Sequence, residues 1–424
     1  MPLPWTSPAL TLYSAAPAPS TPLGPFTDSA VAWATWVTLM GFVGLVALAL
    51  LAAVPAAARS APGAVPAVTA RLARAALVTG VLAVPAVLTG LARGAAGDSG
   101  YDYAAAWNSL YDGSNDGRLS GIEVSCSLLG AVLVAPLARR SVAASGRARR
   151  RLLGAGLAAG AVALGSTRFP DAMPVGDWGR TVFSTLMWLL HLIGGGVWLG
   201  GLAGLLLLAA PGAVREALPE DARGAFWSGT IRRFSVCAMA SVAAITLSGL
   251  FLYWEHVDGP GQLLSTMYGR VLGVKILIFG ALLLLGVFNQ FWLHPRIEAL
   301  RAAGDQRPLR TLLLRRFPLV VAVEVVCGLL LLFVAPFLHG SARNQAYQAR
   351  VAEHSATAVP AKRLPRLAPK QADASTWVYG TLETLAVVGL MGAGYRYSGR
   401  LARRRATAAA PAVGPLRAPD LTEA

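Results

Sequence analysis

The sequence predicts an all-α protein, a polytopic transmembrane helical bundle of about nine spans, and three observations lead to this class. First, 55% of the 424 residues are hydrophobic and 14% are charged, with a mean hydropathy of +0.55. Soluble domains carry about 25% charged residues. Second, nine apolar runs approach or exceed the length that crosses a bilayer. Third, Lys and Arg are distributed unevenly between the loops that join these runs.

The nine predicted spans differ in length and in their content of glycine. They cover residues 30–54, 72–91, 121–138, 152–165, 182–210, 234–254, 271–293, 317–338 and 377–397. The fourth run is the shortest and is rich in glycine, so a re-entrant segment is an alternative for it.

The loops on one side of the predicted bundle carry most of the 37 Lys and Arg residues, including six Arg between 139 and 151. The short loops on the other side contain only Arg93, Arg118, Arg168, Arg180 and Arg270. This positive-inside pattern predicts an external N-terminus and a cytoplasmic C-terminus. The basic segment 340–376 disagrees, but long loops follow the rule poorly. The basic loops on the cytoplasmic side of the lipid bilayer therefore account for the net charge of +16. Nucleic acid is not an expected partner.

The spans divide the chain into units. Residues 1–29 lack a signal-peptide pattern and are predicted to form a flexible external tail. An N-terminal four-span unit (30–166) and a second four-span unit (182–338) follow, then an external linker (339–376), the ninth span (377–398) and a basic cytoplasmic tail (399–424). Cys126, Cys237 and Cys327 lie in separate spans without a CxxC pair, so neither a disulfide framework nor a zinc site is expected.

The fifth span contains a histidine within an apolar run. Ionisable side chains in hydrocarbon are costly and usually serve a function or face a partner. His191 lies one helical turn after Met187, so the two share a helix face. Imidazole with thioether suits copper, whereas paired imidazoles suit haem iron. Nearby glycines, including Gly196 and Gly200, would let another helix approach closely.

The predicted topology places three further metal-binding side chains toward the outer face. His256 and His339 end the sixth and eighth spans, and Met267 lies in an external loop. With His191 and Met187 they form a candidate metal site at the outer side. Interfacial histidines with their polar tips in headgroup water are the structural alternative for His256 and His339.

Four polar residues within the spans could line a path for an ion. Lys275 and Glu383 lie at similar depth near the outer surface and could form a pair. Glu324 lies deeper, toward the cytoplasm, and with Asn289 could line the inner half. Snorkelling of Lys275 and structural hydrogen bonding of Glu324 are the alternatives.

The region from 187 to about 338 resembles the bacterial CopD copper-resistance family. The resemblance lies in these residues: His191 with Gly195, Trp198, Gly200 and Gly201; Arg233-Phe234-Ser235 with Ser241 and Ser248-Gly249; Thr266 to Arg270 with Lys275; and Asn289, Pro295-Arg296 and Glu324. It implies a copper-handling protein of the bacterial cytoplasmic (inner) membrane that moves copper with a periplasmic copper-binding partner. A haem-binding membrane redox protein, with His191 and a second outer-half histidine as axial ligands, is the alternative.

The external loop 112–123 has the length and residue order of an EF-hand calcium loop. The predicted ligands are Asp112, Ser114, Asp116, Arg118 through its carbonyl, Ser120 and Glu123. Gly117 occupies the position of the sharp turn. A polar turn without a metal is the alternative.

The sequence shows no hydrolase elbow, phosphate-binding loop, dinucleotide fingerprint or metalloprotease helix, so no enzymatic activity is expected.

Overall fold

The computed structural model describes residues 26–97, 100–170, 178–303, 316–353 and 366–409, and the regular elements of this part are helical. The α-helices are α1 (Phe26–Leu48), α2 (Val54–Ser60), α3 (Val65–Ala96), α4 (Tyr103–Ser109), α5 (Asn115–Val134), α6 (Arg140–Ala144), α7 (Gly146–Ser166), α8 (Trp178–Ala209), α9 (Ala213–Ala217), α10 (Glu220–His256), α11 (Gln262–Ser265), α12 (Met267–Phe288), α13 (His294–Ala302), α14 (Phe317–Val334), α15 (Ala342–Glu353) and α16 (Ala374–Ala409). Two π-helical turns, Ala49–Ala53 and Asn289–Leu293, join α1 to α2 and α12 to α13. Short 3₁₀ turns cover Pro62–Ala64, Ala135–Ala138 and Ala335–Phe337.

The protein is an all-α polytopic bundle. Seven helical stretches in the described part are long and apolar enough to cross a membrane: Phe26–Ser60, Pro62–Ala96, Asn115–Ala138, Trp178–Ala209, Glu220–His256, Met267–Leu300 and Phe317–Val351. The other two predicted spans are also helical, as α7 and α16, but are less apolar or more charged than these seven. Nine spans therefore remain a prediction.

Helix α1 lies at the centre of the bundle, where it packs against α3 on one side and α8 on the other. Its second half is almost fully buried, with Val43 and Val46 at 0% and 1% exposure. Because α3 belongs to the N-terminal unit and α8 to the second unit, the two predicted four-span units share one apolar core.

The glycines predicted to allow close helix approach do so. A Cβ atom on Gly44 would lie 2.2 Å from the carbonyl oxygen of Gly196 in α8. On the next helix pair, a Cβ atom on Gly194 would lie 3.1 Å from the carbonyl oxygen of Ser241 in α10. Such contacts are the small-residue packing expected between helices in a membrane.

The segment predicted as an external linker contains a helix, α15, that packs against the start of α12. The side chain of Gln345 accepts a hydrogen bond from the backbone N–H of Tyr268 at 3.0 Å. Asp258, after α10, forms ion pairs with Arg343 of α15 and with Lys370, at 2.9 and 3.1 Å. These contacts attach the segment to one end of the bundle. Residues 354–365, which include most of the Pro-rich stretch, lie outside the described residues, as do residues 1–25 and 410–424.

The twelve-residue calcium loop predicted at 112–123 does not form, because α5 begins at Asn115. Ser114 caps this helix by accepting a hydrogen bond from the backbone N–H of Gly117 at 2.9 Å. Asp112 in turn accepts hydrogen bonds from the backbone and the hydroxyl of Ser114. The Asp112 carboxylate lies beside Gly117, where a Cβ atom would be 2.2 Å from Asp112 Oδ1, and Glu123 follows six residues later, about 9 Å further along the helix at 1.5 Å per residue. The remaining predicted ligands, Asp116, Arg118 and Ser120, lie within the helix.

The Asp112 carboxylate is held in this capping arrangement as a charged acceptor. The hydrogen bonds from the Ser114 hydroxyl and backbone lower the pKa of Asp112 below its usual value. The Asp-Asn-Gly composition that suggested a metal loop therefore specifies a helix N-terminus.

Candidate metal site

His191 lies near the middle of α8, thirteen residues after its first residue, on the side that packs against α10. Its ring nitrogen Nδ1 lies 3.0 Å from the hydroxyl oxygen of Ser248. A Cβ atom at Gly249 would lie 3.9 Å from His191 Cε1, an ordinary van der Waals distance, so the ring packs against α10 at this position. The two helices thus form a niche that fixes the imidazole.

The hydrogen bonds of Ser248 determine which nitrogen of His191 carries the proton. The Ser248 hydroxyl donates its one hydrogen toward the carbonyl of Ala244 at 2.6 Å, with the carbonyl of Ile245 at 3.1 Å. Its oxygen therefore accepts at the contact with His191, and Nδ1 is the donor. In the neutral ring this leaves the lone pair on Nε2, the form in which imidazole binds a metal.

Aromatic and cationic side chains surround His191. The indole of Trp188 meets the imidazole edge-on, with 6.3 Å between ring centroids. The guanidinium of Arg168 stacks on the same indole, with its Cζ atom 4.3 Å from the centroid of the Trp188 ring. Lys275 of α12 and Arg168 both lie close enough to interact electrostatically with His191. Met187 lies one turn before His191 on the same helix.

Three predicted ligands of the outer face lie at one end of the bundle, and we call them the outer group: His256, Met267 and His339. The ring of His256, the last residue of α10, stacks on Tyr268 with a centroid distance of 5.8 Å and an interplanar angle of 8°. His256 Nδ1 lies 2.8 Å from the Leu252 carbonyl. Met267 precedes Tyr268 and begins α12, whereas His339 is exposed after the 3₁₀ turn Ala335–Phe337.

The structure separates His191 from this outer group. Ser248, the partner of His191, precedes His256 by eight residues in α10, which corresponds to about 12 Å along the helix. Among the described residues, no group of three or more His, Cys, Asp or Glu side chains could hold a metal ion. The candidate ligands therefore form two separate sets: the imidazole of His191 deep in the bundle and the outer group at its end.

Asn289 and Glu324, the two residues expected to line the inner half of an ion path, meet at the other end of the bundle. The Asn289 amide donates a hydrogen bond to Glu324 Oε1 at 2.7 Å, and Glu324 is only 2% exposed. Asn289 begins the π-helical turn Asn289–Leu293, and the side-chain oxygen of Asn289 is buried without a hydrogen bond in the described structure. Single π turns within α-helices frequently mark functional positions.

The predicted pairing of Lys275 with Glu383 is not formed. Glu383 is exposed on α16, and neither side chain takes part in an ion pair within the described residues. Lys275 instead lies near Arg168, whose like charge repels it, and near His191.

Sequence reasoning did not identify Ser248 as the residue that orients His191, although a lone serine in an apolar run was a signal. It did not include His294 among the candidate ligands. His294 is 7% exposed, and neither ring nitrogen forms a hydrogen bond in the described part of the chain. Its Nε2 lies 3.9 Å from Glu298 Oε1.

The fold and these side chains define a class: an all-α, multi-pass membrane protein with a deep imidazole and a buried carboxylate in its second half. Residues 228–338 match the family model "Copper resistance protein D", CopD. This match confirms the family resemblance over that segment, which covers α10, α12, α13 and α14 and includes Ser248, Asn289 and Glu324. His191 lies before the matched residues.

A curated relative is also similar to part of this chain. It is the copper transport protein CutJ of Bacillus subtilis (strain 168), 36% identical over 104 residues. The similarity covers 24% of this chain and 18% of that protein, so the two share only a segment. No solved structure matches this chain.

Proposed function

We propose that this protein carries copper across a membrane and that Nε2 of His191 is the central ligand for the ion in transit. The observation that carries the proposal is the His191–Ser248 contact, which leaves the lone pair on Nε2. Support from outside the geometry comes from the copper-resistance family match and from the relative's printed name as a copper transport protein.

The donor set suits copper. Imidazole and thioether ligands favour copper among the first-row metals, and Met187 provides a thioether one turn from His191. The outer group of His256, Met267 and His339 would meet the ion first and pass it inward to His191. The buried Glu324, hydrogen-bonded to Asn289, would provide a negative charge for the cation on the opposite half of the path.

The orientation of the chain in the membrane follows from the charge pattern of the loops. The Arg-rich loops would face the cytoplasm, which places the starts of α8 and α12 and the end of α10 on the external side. In a bacterium this corresponds to the inner membrane, with a periplasmic copper-binding protein as the donor or acceptor of the ion.

The proposal is tested by substituting His191→Ala and measuring cellular copper accumulation at matched protein levels in the membrane. We expect accumulation to fall to the level of cells that lack the protein. His294→Ala is the matched control, because it removes a second buried imidazole that makes no hydrogen bond in the described structure. We expect this control to retain most of the accumulation.

A second pair of variants tests the thioether. Met187→Leu keeps the volume but removes the sulfur, and we expect it to reduce copper accumulation. Met40→Leu is the control, because Met40 packs against α8 at Gly195, with its Cε 3.6 Å from the position of a Cβ atom there. Accumulation by His191→Ala equal to that of the wild-type protein would contradict the proposed function.

A further inference from the structure

A cavity of about 450 Å³ opens at the end of the bundle where α8 begins and α10 ends. We call it the arginine vestibule. Its lining residues are Thr167, Arg168, Phe169, Pro170, Arg180, Thr181, Ser184, Thr185, Trp188 and Glu255. Trp188 lines the cavity and also contacts His191, so the vestibule lies next to the His191 niche.

Among the described residues that line the vestibule, the charged side chains are those of Arg168, Arg180 and Glu255. Glu255, the lining carboxylate among the described residues, already accepts a hydrogen bond from Arg180 at 3.2 Å. The guanidinium of Arg180 also donates to the backbone carbonyl of Lys370. These two side chains therefore largely neutralise each other at the rim.

Arg168 differs from Arg180 in its partners. Its guanidinium stacks on two indoles, 4.3 Å from the centroid of Trp188 and 5.7 Å from that of Trp36, and the side chain is exposed to the cavity. No ion pair or hydrogen bond of this guanidinium occurs within the described structure. Stacking uses the faces of the group and leaves its N–H edge free for an acceptor.

A second cation, Lys275 of α12, lies near Arg168. Lys275 is close enough to Arg168 and to His191 for the charges to interact, and it makes no ion pair in the part of the chain that the structure describes. Arg168, Lys275 and His191 thus lie near one another, and among the described residues no carboxylate forms an ion pair with either cation. This field opposes the entry of a bare metal cation and favours an anion.

We infer that the arginine vestibule binds a small carboxylate-bearing anion and that copper reaches His191 as a complex with such an anion. The second half of this inference rests on the proposed function, whereas anion binding itself does not. The planar N–H edge of Arg168 matches the two oxygens of a carboxylate. The hydroxyls of Ser184 and Thr185, on the cavity side of α8, supply further hydrogen-bond donors.

The first experiment measures binding of citrate, without metal, to the full-length purified protein by calorimetry and by thermal shift. We expect saturable binding and a rise in Tm with citrate concentration. Arg168→Gln should weaken citrate binding by about tenfold or more, since a charge-assisted hydrogen-bond pair is lost. Arg168→Lys keeps the charge but not the planar edge, and an intermediate affinity is expected.

Arg296→Gln is the matched control. Arg296 also stacks on a tryptophan, with 5.5 Å to the centroid of Trp292, and lines a cavity of about 400 Å³ elsewhere in the bundle. Its substitution should leave citrate binding unchanged. Absence of saturable binding, or equal weakening by the Arg168 and Arg296 variants, overturns the inference. Inorganic phosphate that binds as tightly as citrate also overturns the assignment to carboxylates.

The second experiment separates this inference from the proposed function. In His191→Ala, we expect citrate binding to persist while copper accumulation is lost. Copper accumulation in Arg168→Gln should fall when copper is supplied with citrate at matched protein levels. Citrate binding with normal copper accumulation in His191→Ala would disprove the proposed function but leave the anion site in place.

Discussion

Gly44 of α1 and Gly200 of α8 meet so closely that a Cβ atom on Gly44 would lie 2.4 Å from the Cα atom of Gly200. The contact is between backbones, so neither helix can yield by changing a side-chain rotamer. It joins the N-terminal unit to the helix that carries His191, nine residues before Gly200. The position of the imidazole therefore depends on α1, which lies outside the family match.

We predict that Gly44→Ala destabilises the protein, because the added methyl group forces α1 and α8 apart. Overpacking of this kind costs about 1–3 kcal/mol in free energy of unfolding. Thermal unfolding of the detergent-solubilised protein measures the effect. The control is Gly41→Ala, one turn earlier on α1, where a Cβ atom would be 3.4 Å from the Thr79 side chain. Equal Tm values for the two variants would contradict the close crossing.

We predict that Ser248→Ala weakens copper binding without removing a metal ligand. Loss of the acceptor for Nδ1–H frees the ring and its tautomer, and losing such a supporting hydrogen bond typically reduces metal affinity about 10–100-fold. Competition with a copper(I) chelator measures this affinity. Ser241→Ala removes a hydroxyl two turns earlier in α10 and should leave the affinity unchanged. An unaltered affinity in Ser248→Ala would show that Ser248 does not position His191.

The sequence was sufficient to predict the helical bundle, because long apolar runs and the glycine pattern depend on local composition. It placed Asn289 and Glu324 together toward the inner half of the bundle but did not predict the hydrogen bond between them, because that bond depends on which helix faces meet. It could not predict the surroundings of Lys275. That depends on which helix faces α12, and the depth of Glu383 alone did not specify this.

The calcium loop illustrates a different limit. Asp, Asn, Ser and Gly serve both as loop ligands and as helix caps, and the choice depends on whether the chain continues as a helix. Here α5 continues from Asn115 into a membrane-length helix, so the capping role prevails.

We predict that Ser114→Ala lowers the stability of α5 by about 1 kcal/mol, the usual value for loss of an N-cap. Hydrogen exchange of the first turn of α5 should increase. Millimolar calcium should not raise the Tm of the wild-type protein, because binding would require the first turns of the helix to unwind. A calcium-dependent rise that Glu123→Gln abolishes would restore the loop interpretation.

We predict that Glu324→Gln impairs copper accumulation while the protein still folds. Glutamine preserves the size of the side chain and its acceptor for the Asn289 amide, but removes the negative charge. Glu383→Gln is the matched control, because Glu383 is exposed on α16. If both variants accumulate copper like the wild-type protein at equal membrane levels, Glu324 has only a structural role.

We predict that acid releases α15 from the bundle. Burial raises the pKa of Asp258, but the hydrogen bond from Lys370 and the charge of Arg343 outweigh this, so the pKa lies below its ordinary value of 3.8. A lowered carboxyl pKa stabilises the folded form above the ordinary value, and this stabilisation is lost as the pH falls through the lowered pKa. Attachment of α15 should therefore be constant from neutral pH to about 4 and should weaken below that.

Hydrogen exchange of residues 342–353 in Asp258→Asn measures this effect at neutral pH. The substitution removes the charge of Asp258 without a change of pH, so the protonation of other groups stays the same. The variant should exchange faster than the wild-type protein, and high salt should reduce the difference because the ion pairs are partly exposed. Asp373→Asn is the control. Hydrogen bonds from Thr376 and Ser375 lower the pKa of Asp373 to about 2, but this carboxylate caps α16 and does not touch α15. Equal exchange of α15 in the wild-type protein and Asp258→Asn would mean that Gln345 and its contact with Tyr268, not the ion pairs, hold the helix in place.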